Sequence, residues 1–183
     1  MYSRPHSARW CVSVNVFQQL AVVVAAVAAV WDIQTRRIPN ALTFGGALLA
    51  VVLHGYWDGW SAAGSALAGW AIGLALFLPF FALGGMGAGD VKLLAAIGAF
   101  VGPIGAVWVA LFTSITGGAM ALLVASYSGY LRQAFVNLWC LVMYWRLEGP
   151  RPAPEMTLSS HKGPRLAYAV PVLAGLMLTL WLR

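Results

Sequence analysis

The sequence predicts an all-α polytopic membrane protein, a six-transmembrane-helix bundle. Of the 183 residues, 61% are hydrophobic and only 9% are charged, whereas a soluble domain carries roughly 25% charged residues. The few charges divide the chain into uncharged stretches of membrane length. No polar stretch is long enough to build a water-soluble domain, so residues 1–183 are expected to form a single membrane-embedded domain.

The elements follow from the charges. Nothing charged lies between Arg9 and Asp32, which places a first span at about Val16–Trp31. Arg4 and Arg9 precede this run in the manner of a signal peptide, but no small-residue cleavage site separates from it, so it reads as a retained helix. A second span lies between Arg37 and Asp58, at about Ala41–Tyr56, and a third at about Ala62–Leu83. The glycine-rich stretch Gly84–Gly89 follows. Lys92 to Arg132 is uncharged and too long for one helix. Gly102-Pro103 is its natural break, because the residue before proline is pushed out of the helical region. This divides it into a fourth helix, about Val91–Val101, and a fifth, about Ile104–Ser126. At 1.5 Å per residue the fourth helix covers only about half of a roughly 30 Å hydrocarbon core. It is therefore expected inside the bundle, where non-helical backbone at depth is tolerated. Leu166–Leu182 is the sixth span. Phe135–Trp145, apolar, aromatic and bracketed by Arg132 and Arg146, reads as an interfacial helix, with a seventh span as the alternative. Residues 127–165 form a cytoplasmic loop that ends in a proline-rich polar stretch.

Lysine and arginine set the orientation. Six spans put Arg36, Arg37, Lys92, Arg132, Arg146, Arg151, Lys162 and Arg165 on one side, against Arg4, Arg9 and Arg183 on the other. The richer side is cytoplasmic by the positive-inside rule. The aromatic loop Tyr56–Trp60 fits the outer interface. The same distribution accounts for the net charge of +6 without a nucleic-acid partner. Cys11 and Cys140 stand alone, with no CxxC, so no metal site and no cofactor are expected. Gly69 and Gly73 have the spacing that lets membrane helices approach closely.

The chain holds five acids. Asp58 in the aromatic loop, and Glu148 and Glu155 beside prolines, read as solvated surface. Asp32 ends the first span and Asp90 opens the fourth, both at the cytoplasmic face. Acids in a membrane are costly and point to function. Two carboxylates that meet in a wet pocket can share a proton, one activating water while the other protonates the leaving group. Helix dipoles suggest that Asp90, at an N-terminus, holds the charge and Asp32, at a C-terminus, the proton. The alternative is local: Asp90 caps the fourth helix and Asp32 pairs with Arg36. Gly87-Ala88-Gly89-Asp90 matches GxGD, in which glycines permit close backbone approach beside the acid. Lys92 stands near Asp90, either as a charge acting on it or on lipid phosphate, or as a snorkelling anchor. Pro39 and Asn40 are placed to stop the loop and cap the second helix. His54, distant from both aspartates, reads as structural.

The segment Asp32-Ile33-Gln34-Thr35-Arg36-Arg37-Ile38-Pro39-Asn40 resembles the first motif of the type IV prepilin peptidases, and Gly87-Ala88-Gly89-Asp90-Val91-Lys92-Leu93-Leu94 resembles their second. Ala167–Pro171 looks like a degraded form of the start of their last helix. The likeness runs from about Val16 to Leu182 and is nearest to the short branch that serves tight-adherence (Flp-type) pili. It implies a metal-independent, six-span aspartyl endopeptidase of the bacterial inner membrane, with Asp32 and Asp90 as the catalytic pair. It also implies prepilins or pseudopilins as substrates, cut behind a short basic leader at the cytoplasmic face. Longer members also methylate the product and carry paired CxxC motifs; neither activity nor zinc is expected here. The presenilin type shares GxGD but sets its first acid in a YD pair, where this chain has Trp31. A small proton-coupled transporter and a non-catalytic pilus-assembly scaffold are the readings from other classes.

Overall fold

The computed structural model describes residues 6–83, 86–129, 131–149 and 167–182. It is all helical: α1 (His6–Thr35), α2 (Asn40–Asp58), α3 (Trp60–Ala82), α4 (Ala88–Tyr127), α5 (Leu131–Glu148) and α6 (Ala169–Leu182). The N-terminal residues, Gly84-Gly85 and most of the proline-rich stretch with Glu155 lie outside the described residues.

Val16–Thr35, Trp60–Ala82 and Ala88–Tyr127 are long and apolar enough to cross a membrane, and Ala169–Leu182 is a shorter apolar helix. The expected count of six spans is therefore not supported. The 40-residue element α4 is two helical legs that meet at a kink at Gly102, the break that Gly102-Pro103 predicts. Gly102 has φ 75° and ψ 179°, a conformation open almost only to glycine. A Cβ on Gly98 would stand 3.1 Å from the Cβ of Ala106, although eight residues of straight helix span about 12 Å. The two legs of α4 thus fold back against each other. At the same end Gly59, with φ 87°, alone joins α2 to α3.

The first leg of α4 is the centre of the molecule. Leu93 to Phe100 are all buried without interruption, as a short helix must be if its polar turn is to avoid lipid. Helix α3 reaches this leg backbone to backbone. A Cβ on Gly69 would overlap the carbonyl of Gly98, and one on Gly73 would stand 2.7 Å from the carbonyl of Leu94. With no hydrophobic driving force between helices in lipid, such close approach supplies the cohesion through van der Waals contact. Helix α6 packs on the second leg in the same way, with Gly175 against Thr113, and Thr116 donates a 3.1 Å hydrogen bond to the carbonyl of Pro171. Alanines 21, 25, 28 and 29 of α1 are buried. Val23, Val27, Val30, Leu48, Val52 and Leu67 lie exposed on the outer surface. So broad an apolar exterior has lipid as its natural solvent.

Gly98→Ala would press a methyl group onto the backbone of Gly69. It is expected to lower stability by about 1–3 kcal/mol. Gly118→Ala, which meets nothing within 4 Å, is expected to be neutral or slightly stabilising. Unfolding of the two variants in detergent micelles checks the contrast.

Candidate active site

The segment after α1 is tightly tied. The N–H of Arg36 donates to the carbonyl of Asp32 at 2.8 Å, with Arg36 itself at φ 55°. The Thr35 hydroxyl lies 2.9 Å from the carbonyls of both Trp31 and Arg37. Pro39, extended at φ −62° and ψ 135°, is the N-cap of α2, where its lack of an N–H costs nothing. Asn40 does not cap the helix as expected. Its side-chain oxygen instead accepts a 3.0 Å hydrogen bond from the Lys92 ammonium, which also lies 5.3 Å from the centre of the Phe44 ring. Lys92 thereby joins the segment that follows Asp32 to the helix that carries Asp90.

The two glycines of the GxGD stretch have separate tasks. Gly87 is the N-cap of α4, and Asp90, three residues on, reaches back so that its carboxylate is hydrogen-bonded by the backbone of Gly87. This is the geometry of a capping box, with the acid at the third helical position rather than at the cap itself. A Cβ on Gly87 would stand 3.0 Å from Asp90 Oδ2. Gly89 faces the other way: a Cβ there would stand 3.3 Å from that of Ile38. The absent side chain lets the loop behind Asp32 lie directly on the start of α4.

Asp32 is buried, at 8% exposure. Its Oδ2 accepts the backbone N–H of Ala169, the first residue of α6, at 3.3 Å. Helix N-termini carry unpaired N–H groups and partial positive charge, so α6 meets the carboxylate with what it needs. This removes the basis for assigning the proton to Asp32 from α1 alone. Both carboxylates face a helix N-terminus, and helix ends do not tell them apart. Asp32 and Asp90 are near enough to act on each other electrostatically. Tyr168, in the turn before α6, stands within the same field. Burial, and beyond it the charge of Asp90, holds its hydroxyl above the ordinary tyrosine range. Its side chain covers Gly117, where a Cβ would stand 2.8 Å from the hydroxyl oxygen.

Asp32, Asp90, Gly87, Gly89, Lys92, Pro39 and Asn40 thus gather at one end of the bundle. Sequence reading missed Tyr168 and the N–H of Ala169 as neighbours of the aspartates. The start of a last helix could be read at 167–171, but nothing there names the carboxylate it would meet. His54 and Asp58 lie at the other end of α2. Asp58, expected to be solvated, is half-buried instead, its Oδ2 3.7 Å from His54 Nδ1. His54 stacks on Phe17 with ring centres 3.7 Å apart and lies 3.3 Å from the carbonyl of Phe100. The histidine bridges three helices, as a structural residue would.

If Lys92 and Asn40 support each other, their effects will not add. A double-mutant cycle with Lys92→Met and Asn40→Ala is expected to give a coupling of about 0.5–1.5 kcal/mol in unfolding free energy. A coupling indistinguishable from zero would mean the bond joins nothing.

No curated protein and no solved structure matches this chain. The family model of the type IV leader peptidases matches residues 19–122, a stretch that contains both aspartates, both GxGD glycines, Asn40 and Lys92. That match covers more than half of the sequence and includes the helices that carry both aspartates: the chain belongs to the type IV leader peptidase family.

Proposed function

We propose that this protein is an intramembrane aspartyl endopeptidase, with the whole chain serving as one peptidase domain of the bacterial cytoplasmic membrane. Its substrates in this reading are prepilins or pseudopilins, cut behind their leader at the cytoplasmic face. The observation that carries the reading is the meeting of Asp32 and Asp90, from two separate helices, inside a family of leader peptidases.

Two like charges so placed in a poorly hydrated site hold one proton between them, and the pair titrates as a unit. The ionised partner takes a proton from a water molecule as that water attacks the scissile carbonyl. The protonated partner stabilises the developing oxyanion and then gives its proton to the leaving amine. The N–H of Ala169 holds one carboxylate in place and the backbone of Gly87 the other. Neither aspartate then needs to reorganise during the reaction, which is how fixed dipoles lower a barrier. Tyr168 flanks the pair with a hydroxyl suited to a substrate carbonyl. No step requires a metal.

Co-expression with a small prepilin encoded beside this gene tests the assignment. Asp32→Asn and Asp90→Asn are each expected to cut leader removal by roughly 10²–10⁴-fold, while the variants still insert and fold. Leader removal that survives either change would sink the paired mechanism. Gly87→Ala, which pushes a methyl group against Asp90 Oδ2, is expected to lower the cleavage rate more than it lowers thermal stability.

A further inference from the structure

A crevice of about 220 Å³ is lined by Thr43 and Phe44 of α2, Trp70 and Leu74 of α3, and Lys92 of α4. Its outer walls belong to two exposed apolar stripes. Phe44, Leu48 and Val52 follow one another on α2 at the spacing that keeps side chains on one face. On α3, the exposed Leu67 and Leu78 flank Leu74 in the same way. Phe44 itself is half exposed, so the crevice opens on the surface whose natural solvent is lipid.

Polarity in the crevice is ordered by depth. The Lys92 ammonium reaches Asn40, the first residue of α2, and Thr43 and Phe44 come about one turn further in. Gly69 lies against Gly98 and Gly73 against Leu94. That antiparallel register puts Leu74 about level with the backbone of Lys92, and Trp70 about 6 Å deeper. The Thr43 hydroxyl donates to the carbonyl of Asn40 at 3.2 Å, which leaves Phe44, Leu74 and the Trp70 ring as the walls. The volume is below the roughly 300–1,000 Å³ of sites that enclose a whole small molecule. It suits one end of a chain whose remainder stays in the bilayer.

The cation at the lip is only partly satisfied. An ammonium has three N–H donors. One goes to Asn40 Oδ1 at 3.0 Å, and the Phe44 ring centre lies 5.3 Å from the nitrogen. Lys92 makes no ion pair among the described residues. Asp90, two positions earlier, lies on another side of the helix. A charge placed above an apolar cleft is complementary to an anion that carries an alkyl chain.

We infer that this crevice is a binding site for an anionic phospholipid. One acyl chain enters between Phe44, Trp70 and Leu74, and a phosphate oxygen accepts a hydrogen bond from the Lys92 ammonium. The inference needs only the membrane placement of the chain and stands apart from the peptidase reading.

Native mass spectrometry of the full chain, released from micelles with phosphatidylglycerol or phosphatidylcholine added, tests it. Phosphatidylglycerol is expected to be retained in preference to phosphatidylcholine. Lys92→Gln is expected to lower its retention about fivefold and to leave phosphatidylcholine unchanged. Lys92→Arg, which keeps the charge, is expected to hold phosphatidylglycerol, so that loss of charge is told apart from loss of fold. Leu74→Trp, which fills the crevice, is expected to lower retention of both lipids, and the milder Leu74→Phe to lower it less. Glycerol 1-phosphate, a phosphate without a chain, is expected not to displace the lipid. Any of four results would overturn the inference: equal retention of the two lipids, phosphatidylglycerol retention indifferent to Lys92→Gln, retention indifferent to both crevice-filling variants, or displacement by glycerol 1-phosphate.

Discussion

A carboxylate buried at the end of an apolar helix has to be met by a donor, and at Asp32 the donor is the first N–H of α6. Much of the arrangement follows from that bond. It brings the last helix against the first, although they are far apart in sequence. It sets Tyr168, the residue before the donor, beside Asp90. It also leaves both carboxylates facing helix N-termini, where negative charge is tolerated in surroundings that otherwise exclude it. In lipid, an acid without such a partner would cost several kcal/mol.

The GxGD stretch shows why a motif of such small residues is needed. One glycine leaves room for the Asp90 carboxylate to turn back on its own helix cap. The other leaves room for Ile38, so that the loop behind Asp32 rests on the helix start before Asp90. The spacing is therefore a pair of contacts, one local and one between segments, and Lys92 with Asn40 adds a third link across the same junction.

The parts of this structure legible in the sequence were those governed by the cost of charge in hydrocarbon. Asp32 and Asp90 stood out because acids are rare and expensive there, and the glycines beside Asp90 stood out with them. The short, buried first leg of α4 was legible from its length, and Gly69 and Gly73 from their spacing. What was hidden depended on which partner a group finds. Asn40 looked like a cap and is a hydrogen-bond acceptor for Lys92. Asp58 looked solvated and is half-buried beside His54. The proton assignment made from α1 alone did not allow for α6, because no local pattern announces a contact across 137 residues. The break at Gly102-Pro103 was legible too: glycine at positive φ turns the backbone there, between the two legs of α4.

The connections between helices are unequal. At the end away from the aspartates, single glycines make the turns, Gly59 between α2 and α3 and Gly102 within α4. At the aspartate end residues 36–39 join α1 to α2, and side chains cross from one segment to the next: Lys92 to Asn40, Ile38 onto Gly89, Asp32 to the N–H of Ala169. One end of the bundle is thus set by backbone torsion and the other by contacts between segments. A side chain added at Gly59 or Gly102 would strain a turn without touching either carboxylate.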